Sequence, residues 1–491
     1  MNNVLKGLRP EKVFEIFELL CSVPHGSGNT RSVSDICVNF AADRGLRYYR
    51  DEINNVIIYK VATPGFENRG TVILQAHLDM VCTKNDDCDI DMTMEGPRVA
   101  TDGEWVYAEG SSLGGDNGIG VATALAILDD DTIVHPPLEV LLTVDEETSL
   151  VGAGAVDVSR LKGRIMLNMD SEEEGVFTVS CAGGMRCDAK LPLMRETPPF
   201  EAAFFDVAVS GLKGGHSGAD IDRGRGNALK LLGRFLYEAS DAFDLRLESV
   251  SGGEFDNVIP KTASATVCVP AGSAEEFEEL AKKYCAIFKS ELAATDAGVT
   301  LTVSGTSGSA GEDTVLSSLV SDRLITAVYA TPDGIQKMSP TIDGFVQTSL
   351  NLGVVRTSEN FSSLSFSIRS SVYTEKYEVL SRLRAIITSL GGTCTERGEY
   401  PAWEYRPDSK IRETALKAYR NVYGGEARVE GIHAGLECGV FSERIKGLDA
   451  ISFGPDLRNV HSACERLNVG SCERMYALVK EMLRLLCTGQ D

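Results

Sequence analysis

The sequence predicts an α/β domain, with a mixed sheet flanked by helices, that is interrupted by an inserted α+β domain. Residues 1 to about 180 alternate helical and strand-like patterns, the pattern changes after the Pro-rich segment LPLMRETPPFE, and the alternation returns after residue 400. We therefore expect a first domain made of residues 1–186 and 400–491, and an inserted domain of residues 187–399.

In the first part, apolar residues at helical spacing and β-branched apolar runs alternate along the chain. They predict helices at 10–22, at 31–44 and directly after GGDNG, and strands at 54–61, 71–76, 138–144 and 164–169. The candidate site residues follow these strands, which is where open α/β sheets place their sites.

The remaining elements follow from the same patterns. In the inserted domain we expect strands at 203–211, 245–251, 262–270, 345–355 and 360–371, and helices at 226–239, 275–294 and 373–390. After residue 400 we expect helices at 408–423 and 436–445, and strands at 427–432 and 449–453.

The composition excludes several classes of protein. The chain has 491 residues, of which 43% are hydrophobic and 24% charged, and 48 basic side chains oppose 71 acidic ones for a net charge of −23. Such acidity argues against nucleic acid and anionic membrane surfaces as partners. We find neither a signal peptide nor a membrane span, and the 13 cysteines form no CxxC pair. These features predict a cytoplasmic globular protein with reduced thiols.

The first chemical signal is the segment TVILQAHLDMVC, where His77 and Asp79 close an apolar run. A strand that ends in this pair holds an imidazole rigidly, and the nearby carboxylate can orient the ring and raise its basicity. Such a pair also occurs by chance, so further ligand residues are needed to indicate a metal site.

Acidic residues and a second histidine lie at other element ends. Asp116 lies in a glycine-rich turn that opens a helix, Glu146 and Glu147 follow an apolar strand, Asp170 ends another, and His461 lies near the C-terminus. Each has a plain interpretation as a helix cap, a solvated turn or a structural histidine. Together they indicate a metal site. The carboxylates of Asp116, Glu147 and Asp170, with one hydroxide, would balance the charge of two divalent cations. The mixture of N and O ligands suits zinc best, with Mn²⁺ or Co²⁺ as substitutes.

The motifs that contain these residues resemble those of the M20 metallopeptidases, in particular the aminoacyl-histidine (Xaa-His) dipeptidase branch, peptidase D. The similarity covers essentially the whole chain and rests on AHLDMVC, GGDNGIGVA, DEETSLVGA, LNMDSEE, GGHSGADI, DNVIP, HAGLECG and NVHS.

The resemblance implies a zinc-peptidase-type catalytic domain interrupted by a lid domain, and two zinc ions per chain bridged by Asp116. It further implies that His77 and Asp170 bind one ion and that Glu147 and His461 bind the other. Asp79 would orient His77, and Glu146 would be the general base and acid that serves a metal-bridged hydroxide.

In the lid, the resemblance makes His216 the candidate for stabilising the oxyanion, with lid closure bringing it towards the metals. It also places Asn257, Arg369, His433, Gly435 and Glu437 near the substrate. Arg369 is a candidate for binding the substrate carboxylate, and the alternative is a surface charge on an exposed strand. Glu437 would bind a peptide amine or imidazole, or would serve as an acid at a helix terminus.

The implied function is hydrolysis of short peptides in the cytoplasm, with Xaa-His dipeptides of the β-alanyl-histidine type as the expected substrates. The alternatives are a broader M20 dipeptidase, an N-acyl amino-acid deacylase, and a catalytically silent peptide-binding protein of the same fold. The lid either completes the site within one chain or meets a second chain in a homodimer.

Overall fold

The chain forms two compact units in a computed structural model that describes residues 3–148, 150–307 and 315–489. The first unit contains the chain up to Cys181, Tyr405–Gly431, and the chain from Leu436 onward. The second unit contains Ala182–Glu404 and the short return Ile432–Gly435.

The described residues form helices in both units. In chain order they are α1 (Glu11–Cys21), α2 (Arg31–Asp43), α3 (Gly115–Asp129), α4 (Val151–Ala155), α5 (Ala228–Ala242), α6 (Ala274–Glu291), α7 (Ser318–Ala330), α8 (Tyr373–Ser389), α9 (Lys410–Tyr423), α10 (Glu437–Arg444) and α11 (Val469–Thr488). Within the described ranges, none of these helices is long and apolar enough to cross a membrane.

The strands are two to twelve residues long. In chain order they are β1 (Arg47–Arg50), β2 (Val56–Lys60), β3 (Val72–His77), β4 (Val99–Thr101), β5 (Trp105–Ala108), β6 (Leu138–Thr143), β7 (Ile165–Asn168), β8 (Val176–Cys181), β9 (Gly183–Pro192), β10 (Arg195–Glu196), β11 (Ala202–Ser210), β12 (Gly215–His216), β13 (Arg246–Gly252), β14 (Val258–Ile259), β15 (Ala263–Pro270), β16 (Thr300–Thr306), β17 (Val315–Leu316), β18 (Gly334–Met338), β19 (Val346–Thr357), β20 (Phe361–Ser370), β21 (Thr393–Tyr400), β22 (Arg428–Ile432), β23 (Asp449–Ser452), β24 (Leu457–Arg458) and β25 (Arg466–Asn468).

The first unit is built on a mixed sheet with the strand order β1-β2-β6-β3-β7-β23-β8-β22. The four central strands, β6, β3, β7 and β23, run parallel, whereas β1 is antiparallel to β2, β2 to β6, and β8 to β23. Every residue of β3 and β6 is buried, as expected for strands that are covered on both faces. The carboxyl ends of three adjacent parallel strands, β6, β3 and β7, therefore meet at one edge of this sheet.

The second unit is an antiparallel sheet with the order β16-β11-β15-β13-β19-β20-β9-β21, to which β18 adds by pairing with β19. Helices α5 to α8 contribute buried apolar side chains to the same core as the sheet, among them Phe235, Phe277, Leu324 and Leu383. This is a two-layer α+β arrangement. The predicted fold class, an α/β domain with an inserted α+β domain, is confirmed.

The predicted domain boundaries at 186/187 and 399/400 cut through strands. Strand β9 pairs with β20 along its whole length, so the second unit begins before residue 187. Strand β21 crosses the other boundary, and the unit continues to Glu404. The return at Ile432–Gly435 was not predicted, because four residues carry no periodicity of their own.

Candidate metal centre and active site

The strand ends of the first unit bring the predicted ligands together. His77 is the last residue of β3, and its register partner Thr143 ends β6 just before Glu146 and Glu147. Strand β7 ends two residues before Asp170. Parallel pairing therefore fixes all of these side chains at one edge of the sheet.

Asp116 and His461 join these side chains from outside the sheet. Asp116 lies at the start of α3, where its backbone angles are not helical. His461 lies in the loop between β24 and β25 and has a φ of 61°, in the left-handed region that non-glycine residues seldom adopt. Asp145 and Leu150, on either side of the Glu146 and Glu147 turn, also have positive φ values, of 54° and 58°. Such backbone strain often accompanies functional sites.

One carboxylate connects two sets of ligand atoms. Asp116 Oδ1 lies 3.2 Å from His77 Nε2, and Asp116 Oδ2 lies 3.2 Å from His461 Nε2. His77 Nε2 is also 3.2 Å from Asp170 Oδ1, and His461 Nε2 is 3.0 Å from Glu147 Oε1. The five residues thus form two groups, His77–Asp116–Asp170 and Asp116–Glu147–His461, whose potential ligand atoms lie within 4.8 Å of one another.

This donor set fits divalent cations. Imidazole nitrogen and carboxylate oxygen are the usual ligands of zinc, and Zn–N and Zn–O bonds of about 2.0–2.1 Å place neighbouring tetrahedral ligands about 3.3 Å apart. The observed separations of 3.0–3.2 Å are close to that spacing. A third group of potential ligand atoms, His77–Glu146–Glu147, overlaps the other two.

The protonation of the cluster in the metal-free protein supports this fit. Burial opposes a charge on His77, but the carboxylates of Asp170, Asp116 and Asp79 outweigh it and hold its pKa well above the ordinary value. Hydrogen bonds to Asp116 and Glu147 raise the pKa of His461 to about 11. Two imidazolium charges thus compensate the carboxylates, and binding of cations in their place would release protons.

Glu146 lies beside the two ligand groups, with potential ligand atoms close to those of His77 and Glu147. Burial raises the pKa of Glu146 well above its ordinary value, and the carboxylates of Asp170, Glu437 and Glu147 add to the effect despite the opposing charge of His77. A carboxyl group that readily accepts a proton at the edge of a cation site suits a general base.

Asp79 holds the turn that carries these two glutamates. Its carboxylate accepts hydrogen bonds from the backbone N–H groups of Glu146 at 3.0 Å and Glu147 at 3.3 Å, and from the Ser27 hydroxyl at 2.8 Å. His77 Nδ1 donates to the backbone carbonyl of Asp79 at 3.0 Å, whereas the Asp79 carboxylate is 3.5 Å away. The sequence suggested that this carboxylate orients His77; its shorter contacts are with the glutamate turn.

For the peptide hydrolysis that the resemblance implies, we expect Asp79→Asn to lower kcat by about 10–100-fold while added Zn²⁺ still binds. The new amide would turn an N–H₂ group towards backbone donors and displace Glu146, but the His77 hydrogen bond to the carbonyl would persist. The measurement is zinc per chain together with kcat, and Ser27→Ala, which removes one hydrogen bond only, is the milder control. Complete loss of zinc in Asp79→Asn would contradict this role.

Glu437 is the first residue of α10, which is the helix-terminus position that the sequence left open as one of two alternatives. Its side chain is 0% exposed, so it contacts no solvent, and a role in binding substrate stays a prediction. Its Oε2 accepts hydrogen bonds from the Thr143 hydroxyl at 2.7 Å and from the Gln75 amide, and the Gln75 carbonyl oxygen accepts one from Asn168. Glu437 therefore belongs to a buried polar network that joins strands β3, β6 and β7 beneath the ligands.

The buried carboxyl of Glu437 makes stability depend on pH. Burial raises its pKa from 4.5 to about 8, so the folded metal-free protein keeps a proton that the unfolded chain loses above pH 4.5. Folded stability therefore falls as pH rises from about 4.5 to about 8. Glu437→Gln cannot ionise, so we expect its Tm to exceed that of the parent protein at pH 9 and to be similar at pH 5. A Tm difference that is the same at both pH values would contradict this assignment.

In the second unit, the loop around His216 fixes the tautomer of that side chain. His216 Nδ1 accepts hydrogen bonds from the backbone N–H groups of Gly218 at 3.3 Å and Ala219 at 3.1 Å. Burial, followed by the charge of Arg369, lowers the pKa of His216, so the ring is neutral at pH 7. The remaining proton is on Nε2, which makes that atom a hydrogen-bond donor. Its action on an oxyanion stays a prediction.

Arg369 is not a surface charge. It lies on β20 with 8% exposure, its Nη1 donates to the Tyr400 hydroxyl at 2.9 Å, and its Nη2 is 3.4 Å from His216 Nε2. Nε has no hydrogen-bond partner among the described residues. Two donors, Nη2 and His216 Nε2–H, face each other, and an anionic oxygen would satisfy both.

The other predicted substrate-binding residues contact residues that neighbour Arg369 or His216. His433 Nε2 lies 2.7 Å from the Ser349 hydroxyl, and burial and Arg369 lower the pKa of His433 to about 3. Gly435 packs against the Tyr400 ring, where an added Cβ would lie 3.0 Å from Cε2. Asn257 contributes its backbone carbonyl, which accepts the Ser217 N–H at 2.9 Å.

Three residues near these clusters were not identified from the sequence. Asn117, whose amide donates to Asp170, directly follows Asp116 in GGDNG, so its motif was a usable signal. Tyr400 and Glu465 contact site residues through the fold alone. Nothing in their local sequence distinguishes them from ordinary polar residues.

The chain is similar to known proteins over nearly its whole length. The sequence profile of peptidase family M20/M25/M40 matches residues 73–485. The chain is 38% identical over 480 residues, 98% of each sequence, to a cytosol non-specific dipeptidase of Escherichia coli strain K12.

Solved structures share the fold of this chain. The crystal structure of an aminoacylhistidine dipeptidase from Vibrio alginolyticus is 38% identical, with a TM-score of 0.92 over 98% of this chain and 97% of that one. A tripeptidase from Staphylococcus aureus shares the fold at 14% identity, with a TM-score of 0.60 over 98% of this chain and 100% of that one. The chain belongs to peptidase family M20/M25/M40.

Proposed function

We propose that this protein is a cytoplasmic, zinc-dependent dipeptidase that hydrolyses short peptides and favours Xaa-His dipeptides such as β-alanyl-histidine. The observation that carries the proposal is the Asp116 carboxylate shared by two ligand groups, with Glu146 beside them. The relatives at 38% identity, one called a cytosol non-specific dipeptidase and the other an aminoacylhistidine dipeptidase, support the reaction and leave two breadths of specificity to test.

Two zinc ions would be held by His77, Asp116 and Asp170, and by Asp116, Glu147 and His461. When bound, they would supply Lewis acidity that lowers the pKa of water and polarises the peptide carbonyl. Manganese or cobalt could replace zinc, because the ligands are nitrogen and oxygen atoms only.

Glu146 would move the proton. Its carboxylate would accept a proton from the water whose oxygen attacks the peptide carbonyl carbon, and would then donate that proton to the leaving amine as the C–N bond breaks. The products are one carboxylate and one amine. The raised pKa of Glu146 is consistent with a carboxyl group that carries the proton between these two steps.

A free substrate carboxylate is the ligand that best suits the second unit. Arg369 Nη2 and His216 Nε2 lie 3.4 Å apart as two hydrogen-bond donors, and the Arg369 guanidinium supplies the positive charge of this pair. A short peptide carries such a carboxylate at its C-terminus. The contributions of Asn257, His433 and Gly435 to binding, and a homodimer through the second unit, stay predictions.

A substrate panel tests the proposal. The zinc-loaded protein is assayed for kcat/KM on β-alanyl-histidine, alanyl-histidine, alanyl-alanine, a tripeptide and an acetylated amino acid, with Glu146→Gln as the control for contaminating peptidases. We expect the highest values for the two Xaa-His dipeptides.

Each other outcome identifies an alternative. Equal turnover of all dipeptides would indicate the broader activity that the Escherichia coli relative's name suggests. Turnover of the acetylated amino acid alone would indicate a deacylase. No turnover of any substrate would overturn the proposal and favour a peptide-binding protein.

A further inference from the structure

The loop that carries His461 also carries an acidic residue, Glu465, whose carboxylate contacts the start of α3. Strands β24 and β25 pair as a hairpin, with Leu457 opposite Leu467, and the connecting loop contains both His461 and Glu465. Strand β25 in turn pairs with β5, which anchors this side of the hairpin in the first unit. Movement of the loop would therefore displace both residues together.

Glu465 is 3% exposed and accepts three backbone hydrogen bonds. Its Oε2 accepts the N–H groups of Leu113 at 2.7 Å and Gly114 at 3.0 Å, and its Oε1 accepts the N–H of Asp116 at 3.2 Å. These donors lie at the start of α3, where the N-cap residue Gly114 provides no side-chain cap. A carboxylate distant in sequence performs the capping instead.

The local backbone is shaped to admit this carboxylate. A Cβ added at Gly115 would lie 3.1 Å from Glu465 Oε1 and 2.7 Å from Leu457 Cδ2. Glu465 is also absent from every group of potential ligands found among the described residues. Its oxygens are engaged by the backbone, so it acts on the site through Asp116.

We propose that Glu465 is a positioning residue that holds the Asp116 loop against the His461 loop, and so sets the affinity of the Asp116–Glu147–His461 group for its cation. The inference rests on the proposed metal site. Removing the carboxylate would let Asp116 and His461 move relative to each other. His77 and Asp170 would still be held in place by the ends of β3 and β7. The effect should fall mainly on one of the two cations.

Glu139 provides a matched control. It is also 3% exposed and its carboxylate also accepts three backbone hydrogen bonds, two from Lys162 N–H and one from Gly163 N–H, at 2.9–3.0 Å. It lies near the start of β6, at the opposite end of the strand from Glu146 and Glu147. Glu139→Gln should therefore cost folding stability without affecting the ligands.

The experiment titrates metal-free protein with Zn²⁺ against a chromophoric chelator, for the parent protein, Glu465→Gln and Glu139→Gln, and records the Tm of each metal-free variant. For Glu465→Gln we expect one of the two zinc equivalents to lose about 10–100-fold in affinity and the other to change little. The kcat for the best substrate should fall with little change in KM. Glu139→Gln should bind zinc like the parent protein.

Gly115→Ala keeps the charge but crowds both Leu457 Cδ2 and Glu465 Oε1 on the hairpin, so it tests the proposal if Glu465→Gln does not fold. We expect it to weaken the same zinc equivalent. Parent-like zinc affinity in Glu465→Gln, or in Gly115→Ala, would overturn the proposal, as would equal weakening in Glu139→Gln. If the parent protein binds two zinc ions but hydrolyses no peptide, the proposed function fails while the role of Glu465 is still decided by the titration.

Discussion

Glu146→Gln is expected to lower kcat for dipeptide hydrolysis by about 10²–10⁴-fold while the protein keeps both zinc ions. The amide has nearly the same shape but can neither accept the proton of the attacking water nor deliver it to the leaving amine. Because one group serves both steps, its loss affects them together. KM should change little, since no substrate contact is removed.

The adjacent glutamate is the natural comparison. Glu147 Oε1 lies 3.0 Å from His461 Nε2, so we expect Glu147→Gln to lose zinc as well as activity. Zinc content per chain and kcat are measured for both variants. Loss of a zinc equivalent from Glu146→Gln would show that Glu146 is a ligand through its group with His77 and Glu147, and would contradict its role as the base.

Asp116→Asn is expected to abolish detectable hydrolysis and to weaken the binding of both zinc ions. Its two oxygens are each 3.2 Å from a different histidine, so no other described residue serves both groups. A neutral amide leaves one group without a carboxylate oxygen and lowers the negative charge that holds the cations. The loss of zinc affinity should exceed the roughly 10–100-fold that follows loss of an outer hydrogen-bond partner.

Asp449→Asn is a suitable control for this substitution. Asp449 is a buried aspartate that accepts hydrogen bonds from the Ser409 hydroxyl and from the N–H groups of Lys410 and Ile411 at the start of α9. Its replacement should lower Tm and leave zinc binding intact. Parent-like binding of both zinc ions by Asp116→Asn would contradict the shared role of Asp116.

Periodicity made the main elements predictable. The runs that predicted strands at 71–76, 138–144 and 164–169 became β3, β6 and β7, because a parallel core requires continuous apolar strands. The motifs at their ends were then sufficient to anticipate which side chains meet. Elements without such runs, such as β21 with its exposed polar sequence TCTERGEY, gave no comparable signal.

The rest of the site depends on contacts between distant segments. In the sequence, Glu437 has the position of an ordinary acid at the start of a helix. Only the fold buries it against Gln75 and Thr143. Likewise, the three donors of Glu465 are about 350 positions away in the chain. Helical or strand periodicity reports which face of an element is apolar, and it contains no information about such partners.

We propose that two cations, held in common by Asp116, are required for peptide hydrolysis. The most direct test adds Zn²⁺ stepwise to metal-free protein and follows hydrolysis of β-alanyl-histidine. We expect no hydrolysis without zinc and a maximum only when two equivalents are bound. Hydrolysis by the metal-free protein, or a maximum after a single equivalent, would contradict the claim.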